Sequence, residues 1–207
     1  MRTLVIDTAT RACSVAFFND DRLVGESHEL IGRGHAEHLL PAIARFPENG
    51  RADRIAVNVG PGSFTGIRIG ISAARALALA WQAECVGYGC LDFIAAIARD
   101  EAKAKSKVSV VMTGGHGEFF CGTFAQDGAP LSPPQSLTYE AALGSLTGDI
   151  VAGDAVDRFS SDLGNRKIVD TLPVAARWPL VSGYRPLPAS ALYVRPPDAK
   201  TKAELGH

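Results

Sequence analysis

Short apolar runs alternate with polar, glycine-bearing breaks along the chain, and the first run, Thr3-Leu4-Val5-Ile6, stops at Asp7. A run of this length bounded by turn residues predicts a strand. Residues 7–12 are small and polar and predict a turn. A second strand follows at 13–18, a hairpin turn at Asn19-Asp20-Asp21, and a third strand at 22–27. Past Gly32-Arg33-Gly34 the period becomes helical, with Leu39, Leu40, Ile43 and Phe46 on one face, and Pro47-Glu48-Asn49-Gly50 closes that helix. Residues 54–59 predict a buried strand. After a glycine-rich loop, Ile67, Ile71, Ala74, Leu77, Ala78 and Trp81 recur at helical spacing. A brief strand at 84–87 and a helix marked by Leu91, Ile94, Ala95 and Ala98 complete this half. The charged segment 99–107 reads as the solvated end of that helix or as a lobe boundary.

The pattern then restarts. Strands at 108–112 and 119–124 flank Thr113-Gly114-Gly115-His116-Gly117, a proline-bearing loop spans 130–134, and a short helix lies near 139–143. A strand at 150–152 and a helical turn at 159–163 follow. Beyond Leu172 prolines stand at 173, 179, 186, 188, 196 and 197, which predicts irregular chain with one weak helix. Hairpins first and strand–helix units afterwards point to an α/β chain with mixed rather than all-parallel sheets. The restart suggests a second lobe of the same kind, although the two halves show no sequence repeat.

Composition narrows the function classes. The chain has 207 residues, 46% hydrophobic and 21% charged, with a formal charge of −1. That is an ordinary globular balance, long enough for a sizeable core. It argues against a protein that holds nucleic acid by its own bulk charge. Cys13, Cys85, Cys90 and Cys121 form no C-x-x-C pair and are expected to be buried free thiols. The opening residues turn acidic too soon for a signal peptide, and no apolar run approaches membrane-spanning length. The expected location is the cytoplasm.

The stretch Gly60-Pro61-Gly62-Ser63-Phe64-Thr65-Gly66-Ile67-Arg68-Ile69-Gly70 carries the most chemistry. Ser63 or Thr65 can accept from the free amides of the following helix, and such a turn can cradle an anion. A capped strand-to-helix connection without a ligand is equally open, because neither G-x-x-x-x-G-K-[ST] nor G-x-G-x-x-G is present. Gly66, Gly70, Ala73, Ala74 and Ala76 leave the helix surface small, which predicts close approach of a second helix, from this chain or another. Asp7 ends its strand where α/β sheets place ligand groups, and with Thr8 it could meet a metal-bound phosphate or simply accept turn amides. His35 and His38 have a spacing that can pair imidazoles on a metal, yet nothing nearby completes a ligand set, so no metal is expected and a surface helix start is the plainer reading. His116 lies in a glycine-rich turn with no nucleophile elbow in the chain to serve.

Taken together, Asp7-Thr8-Ala9, His35-x-x-His38-Leu39-Leu40-Pro41, the 60–70 stretch and Tyr193-x-Arg195-Pro196-Pro197-Asp198-Ala199 resemble the TsaB (YeaZ) family, whose loop reads G-P-G-S-F-T-G-[LI]-R-[IV]-G. The resemblance implies an actin-like ATPase (RNase H-like) fold of two lobes, here 1–105 with the partner-binding helices and a shortened 106–207. It further implies a non-catalytic scaffold in making threonylcarbamoyladenosine beside the tRNA anticodon. Its partners would be a TsaD-like catalytic paralogue and a TsaE-like ATPase, with tRNA met only through the complex and a homodimer formed alone. No cofactor is implied, with ATP entering only in the complex. Partner contacts would come from His35, His38, Leu39, Gly66, Arg68, Gly70, Ala73, Ala74 and Leu77, and a vestigial nucleotide set from Asp7, Thr8, Gly60, Gly62 and Ser63. The paralogue's H-x-x-x-H metal pair is replaced by Cys90 and Ile94, in keeping with a role without catalysis. Thr113-Gly114-Gly115-His116-Gly117-Glu118-Phe119-Phe120 departs from the family's D-A-[RK]-[RK]-G-E-[VI]-[YF], losing its acid and both bases. The competing reading is an ATP-binding hydrolase or metallopeptidase-like enzyme working through Asp7 and the 60–66 loop.

Overall fold

The computed structural model describes residues 1–194 of the chain, so Arg195-Pro196-Pro197-Asp198-Ala199 of the C-terminal motif lies outside the described residues. Ten strands form two sheets of five. In the first, β1 (Arg2–Asp7), β2 (Ala12–Asn19) and β3 (Arg22–Leu30) run antiparallel, and β4 (Arg54–Asn58) and β5 (Glu84–Tyr88) add parallel to β1, in the order β3-β2-β1-β4-β5. In the second, β6 (Val108–Thr113), β7 (Phe119–Phe124) and β8 (Gln135–Leu137) are antiparallel. Strands β9 (Ile150–Ala152) and β10 (Lys167–Val169) add parallel to β6, in the order β10-β9-β6-β7-β8. The mixed sheets follow the order of elements read from the sequence. Strands β8 and β10, three residues each, are additions to it.

Period-two alternation decides which residues face which layer. Leu4 and Ile6 of β1 join Ile55 and Val57 of β4 under helices α1 (His35–Ala44) and α2 (Phe64–Trp81). Val5 and Ala56 point the opposite way, into a cluster with Phe93, Ile97, Ala175 and Trp178. Helix α3 (Cys90–Ala102) therefore sits between the sheets. Its Phe93, Ala96 and Ile97 pack on the first sheet, and its Leu91, Ile94, Ala95 and Ala98 share a cluster with Val108, Val110 and Ile150 of the second. Each such buried aliphatic or phenyl side chain contributes about 1.5–3 kcal/mol of transfer free energy. The far face of the second sheet is covered by α4 (Tyr139–Ser145) and by Phe159, which stacks on Tyr139 at 4.5 Å.

Among the described residues, 173–194 are irregular apart from a 3-10 turn at Ala175–Leu180, and they return to the first sheet. The Ala175 amide donates to Ser14 Oγ at 2.9 Å, Leu187 exchanges two backbone hydrogen bonds with Gly87, and the Leu192 amide donates to the Val59 carbonyl. A second 3-10 turn spans Val156–Phe159, earlier than the helical turn expected at 159–163. The four cysteines are free; Cys85 is half-buried where full burial was expected. Among the described residues, no helix is long and apolar enough to cross a membrane.

Candidate functional site

Three parallel strands of the first sheet end in polar residues at one edge: Asp7, Asn58 and Tyr88. The register makes them neighbours, since Ile6 opposes Val57 and Asn58 opposes Tyr88. Asn58 Nδ2 donates to Asp7 Oδ2 at 2.6 Å, and the Tyr88 hydroxyl is shared between that oxygen at 3.0 Å and the Ile6 carbonyl at 3.2 Å. The Ala9 amide reaches Asp7 Oδ1 at 3.2 Å, and Asn58 Oδ1 accepts the Gly60 amide at 2.8 Å. Asp7 is 1% exposed. Burial pushes its carboxyl up to about 6, against the lowering effect of hydrogen bonds from Asn58, Ala9 and Tyr88. The same burial raises the Cys90 thiol beside it well above its usual range.

The 60–66 loop is held against this knot. Ser63 N donates to the Ala9 carbonyl at 2.7 Å, and Thr8 Oγ1 donates to the Gly66 carbonyl at 2.7 Å. Ser63 Oγ accepts the Gly66 amide at 3.2 Å and so caps α2, one of the two side chains expected to do so. A Cβ on Gly66 would stand 2.0 Å from the Thr8 carbonyl oxygen, and one on Gly70 would stand 2.4 Å from Thr8 Oγ1. Only glycine allows the helix so near β1. The close approach foreseen for Gly70 is therefore to the chain's own sheet and not to a second helix. Asp7 and the loop do not fit a metal-bound phosphate: the carboxylate is engaged by protein donors, and the loop backbone lies on residues 8 and 9. Thr8, Gly60, Gly62 and Ser63 belong to that internal contact.

The expected partner residues divide. His35, Leu39, Gly66, Gly70 and Ala74 are buried, a correction to their expected place on an outer surface. The His35 ring stands 3.2 Å from the Ala12 carbonyl, while His38 Nδ1 faces Glu29 at 3.4 Å, so the two imidazoles diverge. No group of three or more metal-ligating side chains assembles among the described residues. His38 and Arg68 are exposed, and Ala73 and Leu77 are half-buried. Leu40, expected on the buried face of α1, is 51% exposed, and Leu79 of α2 is 84% exposed.

At the start of α2 the Arg68 guanidinium lies 3.6 Å above the Phe64 ring, and its Nε donates to the Tyr193 hydroxyl at 3.0 Å. Two motifs far apart in sequence thus meet on one surface. Asn58 and Tyr88 escaped the sequence reading, although Asn58 closes the strand beside Asp7's own and Tyr88 closes the next strand over. The Thr113–Gly117 turn is tied to the lobe by Asp154, which accepts the Thr113 amide at 2.8 Å and pairs with Arg11 of the first lobe at 3.2 Å.

Residues 27–171 match the family model described as TsaD: tRNA N6-adenosine threonylcarbamoyltransferase. The chain is 42% identical over 96 residues to the tRNA threonylcarbamoyladenosine biosynthesis protein TsaB of Escherichia coli, covering 44% of this chain and 41% of that protein. YeaZ from Pseudomonas aeruginosa superposes with a TM-score of 0.76 at 25% identity, over 93% of this chain and 99% of that one. The chain belongs to the TsaB (YeaZ) family. Its two five-stranded sheets share one strand order, and the chain shares the fold of YeaZ from Pseudomonas aeruginosa. The match to the Haemophilus influenzae TsaB is 32% over 113 residues, 52% of this chain and 48% of that protein. The chain thus spans less than half the length of these two TsaB proteins. A tRNA N6-adenosine threonylcarbamoyltransferase of Anaeromyxobacter is 29% identical over 143 residues.

Proposed function

We propose that this chain is a non-catalytic scaffold in the synthesis of threonylcarbamoyladenosine on tRNA. It binds a TsaD-like transferase through the outer faces of α1 and α2, a TsaE-like ATPase joins the pair, and tRNA is met only through the assembly in the cytoplasm. Unpaired, the same faces hold two copies together. The observation that carries this reading is the contrast between a sealed polar knot and an open helix pair. Asp7, where an actin-fold enzyme would hold its metal-bound phosphate, is filled by Asn58, Tyr88 and the Ala9 amide. Leu40 and Leu79 stand in water on adjacent helices among small residues, the kind of apolar surface that marks a protein–protein contact. Family membership among TsaB proteins supports the pathway.

The test is reconstitution with a transferase, an ATPase and tRNA. Leu79→Asp is exposed and leaves the fold intact, so it is expected to weaken transferase binding by about tenfold or more, as hot-spot residues do, with modification falling in step. Unchanged binding in both Leu79→Asp and Leu40→Asp would remove the helix pair from the interface. Modification of tRNA by the purified chain alone would replace the scaffold with an enzyme.

A further inference from the structure

The outward stripe of α2 runs Phe64, Arg68, Ser72, Arg75 and Leu79, all exposed, in steps of four, four, three and four residues. The returning end of the chain lies against it. Arg68 Nε donates to the Tyr193 hydroxyl at 3.0 Å, and Arg75 Nη2 donates to Ser190 Oγ at 3.1 Å. Each guanidinium is thus oriented by a neutral hydroxyl that takes one of its five donors and leaves the others facing outward. The two arginines are about 10 Å apart along the helix axis.

No acid lies beside them in sequence: residues 55–83 and 173–194 contain neither Asp nor Glu. Neighbouring α1 brings one acid, Glu37, whose Oε2 would stand 3.5 Å from a Cβ on Gly34, at that helix's own start. Elsewhere in the first lobe Arg2, Arg11, Arg45 and Arg54 pair with carboxylates. Among the described residues Arg68 and Arg75 form no such pair. Arg22, Arg33 and Arg51 lack one as well, but no side-chain hydrogen bond orients them. Base stacking is the other use that Phe64 and Tyr193 suggest. One face of Phe64, however, is covered by the Arg68 guanidinium at 3.6 Å, and Tyr193 stands against the ring at 5.7 Å and 39°. A formal charge of −1 adds no wider basic field for RNA. Arginine, tyrosine and phenylalanine are the residues enriched at protein interfaces, and a positive patch there is met by a negative one.

We propose that α2 and the returning segment dock a protein face carrying two carboxylates about 10 Å apart, one for Arg68 and one for Arg75. Apolar side chains of that face meet Phe64 and Tyr193 at one end and Leu79 at the other. Tyr193 and Ser190 are positioning residues that aim the two guanidinium groups. The inference rests on the reading that α2 meets the transferase, and it adds the charge that the transferase presents.

Titration calorimetry of the full chain against the transferase, repeated from about 50 to about 500 mM salt, tests it. Arg68→Gln/Arg75→Gln is expected to weaken binding about tenfold at the low-salt end and to flatten the salt dependence. Arg68→Glu/Arg75→Glu should weaken it about tenfold again, because like charges then face each other. Tyr193→Phe should cost a few-fold in the parent and nothing further in Arg68→Gln, a coupling that a purely structural tyrosine would not show. The substituted positions are exposed, so urea midpoints should stay at the parent value. The proposal is overturned if the glutamine pair keeps parental affinity and salt dependence, or if the glutamate pair binds no worse than the glutamine pair. In the first case, a loss that persists in Leu79→Asp keeps α2 as the interface and removes only its charge, while no loss in either removes the helix itself. Weaker tRNA binding or self-association in the glutamine pair, with transferase affinity intact, would overturn it in favour of phosphates or of a second copy.

Discussion

The two lobes are built on one strand order and part company at the helices. The central strands β1 and β6 are six residues each, but β3, β4 and β5 have nine, five and five residues against three each in β8, β9 and β10. Helices α1 and α2 have ten and eighteen residues; their counterparts are α4 with seven and a 3-10 turn with four. A helix of that length runs about 27 Å, while the five residues of β4 span about 17 Å. Helix α2 therefore overruns the strand it covers by nearly two turns. In that overrun only Ala78 is fully buried, and Leu79 stands in water. The second lobe shows what covering a sheet of this topology requires, and the first carries more helix than that. Ala78, with Leu77 and Trp81 packed beside it, still joins the core there, while Arg75, Ala76, Leu79 and Ala80 face water.

The sharpest way to break this comparison is to add the same side chain to a helix in each lobe. Gly70→Leu drives a branched group into Thr8, Val57 and Ile6, and overpacking of this kind costs about 3 kcal/mol or more. Gly144→Leu in α4 meets nothing within 4 Å and gains helix propensity, so a change within about 0.5 kcal/mol in either direction is expected. Urea denaturation of the two variants measures both. A Gly70→Leu protein as stable as the parent but weaker toward its partner would put Gly70 on the outside, contrary to its place against β1.

That glycine also marks how far the sequence could be read. The small residues at 66, 70 and 74 announced a close approach, and the approach exists, but small size says nothing about what comes near. Leu40 went wrong for a related reason: helical spacing put it beside Leu39 and Ile43, while the face of α1 that meets the sheet is narrower than the apolar stripe. The strands of the first lobe were legible because they run five to nine residues and are bounded by turn residues. Strands β8 and β10, Gln135–Leu137 and Lys167–Val169, are too short for any period to show and are made by pairing with longer neighbours. Asp7 could be picked out as a strand-end acid. That Asn58 and Tyr88 complete it depends on parallel register, which one strand does not reveal.

The second prediction sharpens the contrast between strand ends. In the first lobe β1, β4 and β5 finish in Asp7, Asn58 and Tyr88; in the second, β6, β9 and β10 finish in Thr113, Ala152 and Val169. The folded pKa of Asp7, about 6, lies above its ordinary 3.8. The folded state therefore holds this proton more tightly than the unfolded chain. The stabilisation from it is full below about pH 4, declines as pH rises through the folded value, and is gone above it. Two units correspond to roughly 2–3 kcal/mol. Asp7→Asn cannot ionise, so parent stability minus variant stability should fall by that amount between pH 4 and pH 7. A difference that stays flat across that range would mean that the carboxylate is solvated and the knot open.

The smallest effect is expected where the lobes touch at their turns. Arg11 reaches Asp154 at 3.2 Å, with the arginine side chain half exposed and the carboxylate 9% exposed. An ion pair with one partner in water contributes little, so Arg11→Ala should cost about 0.5 kcal/mol, and raising the salt to about 1 M should remove most of that difference. Asp154 does more, because its other oxygen accepts the Thr113 amide at 2.8 Å and holds the turn that opens the second lobe's first hairpin. Asp154→Ala leaves that amide without its acceptor, and a loss of about 1–2 kcal/mol that salt does not relieve is expected. Asp154→Asn keeps an acceptor for Thr113 and gives up the charge, so it should resemble Arg11→Ala rather than Asp154→Ala. Equal losses in Asp154→Asn and Asp154→Ala would reverse the order of importance, making the contact between lobes, and not the hairpin turn, the reason for an acid at this position.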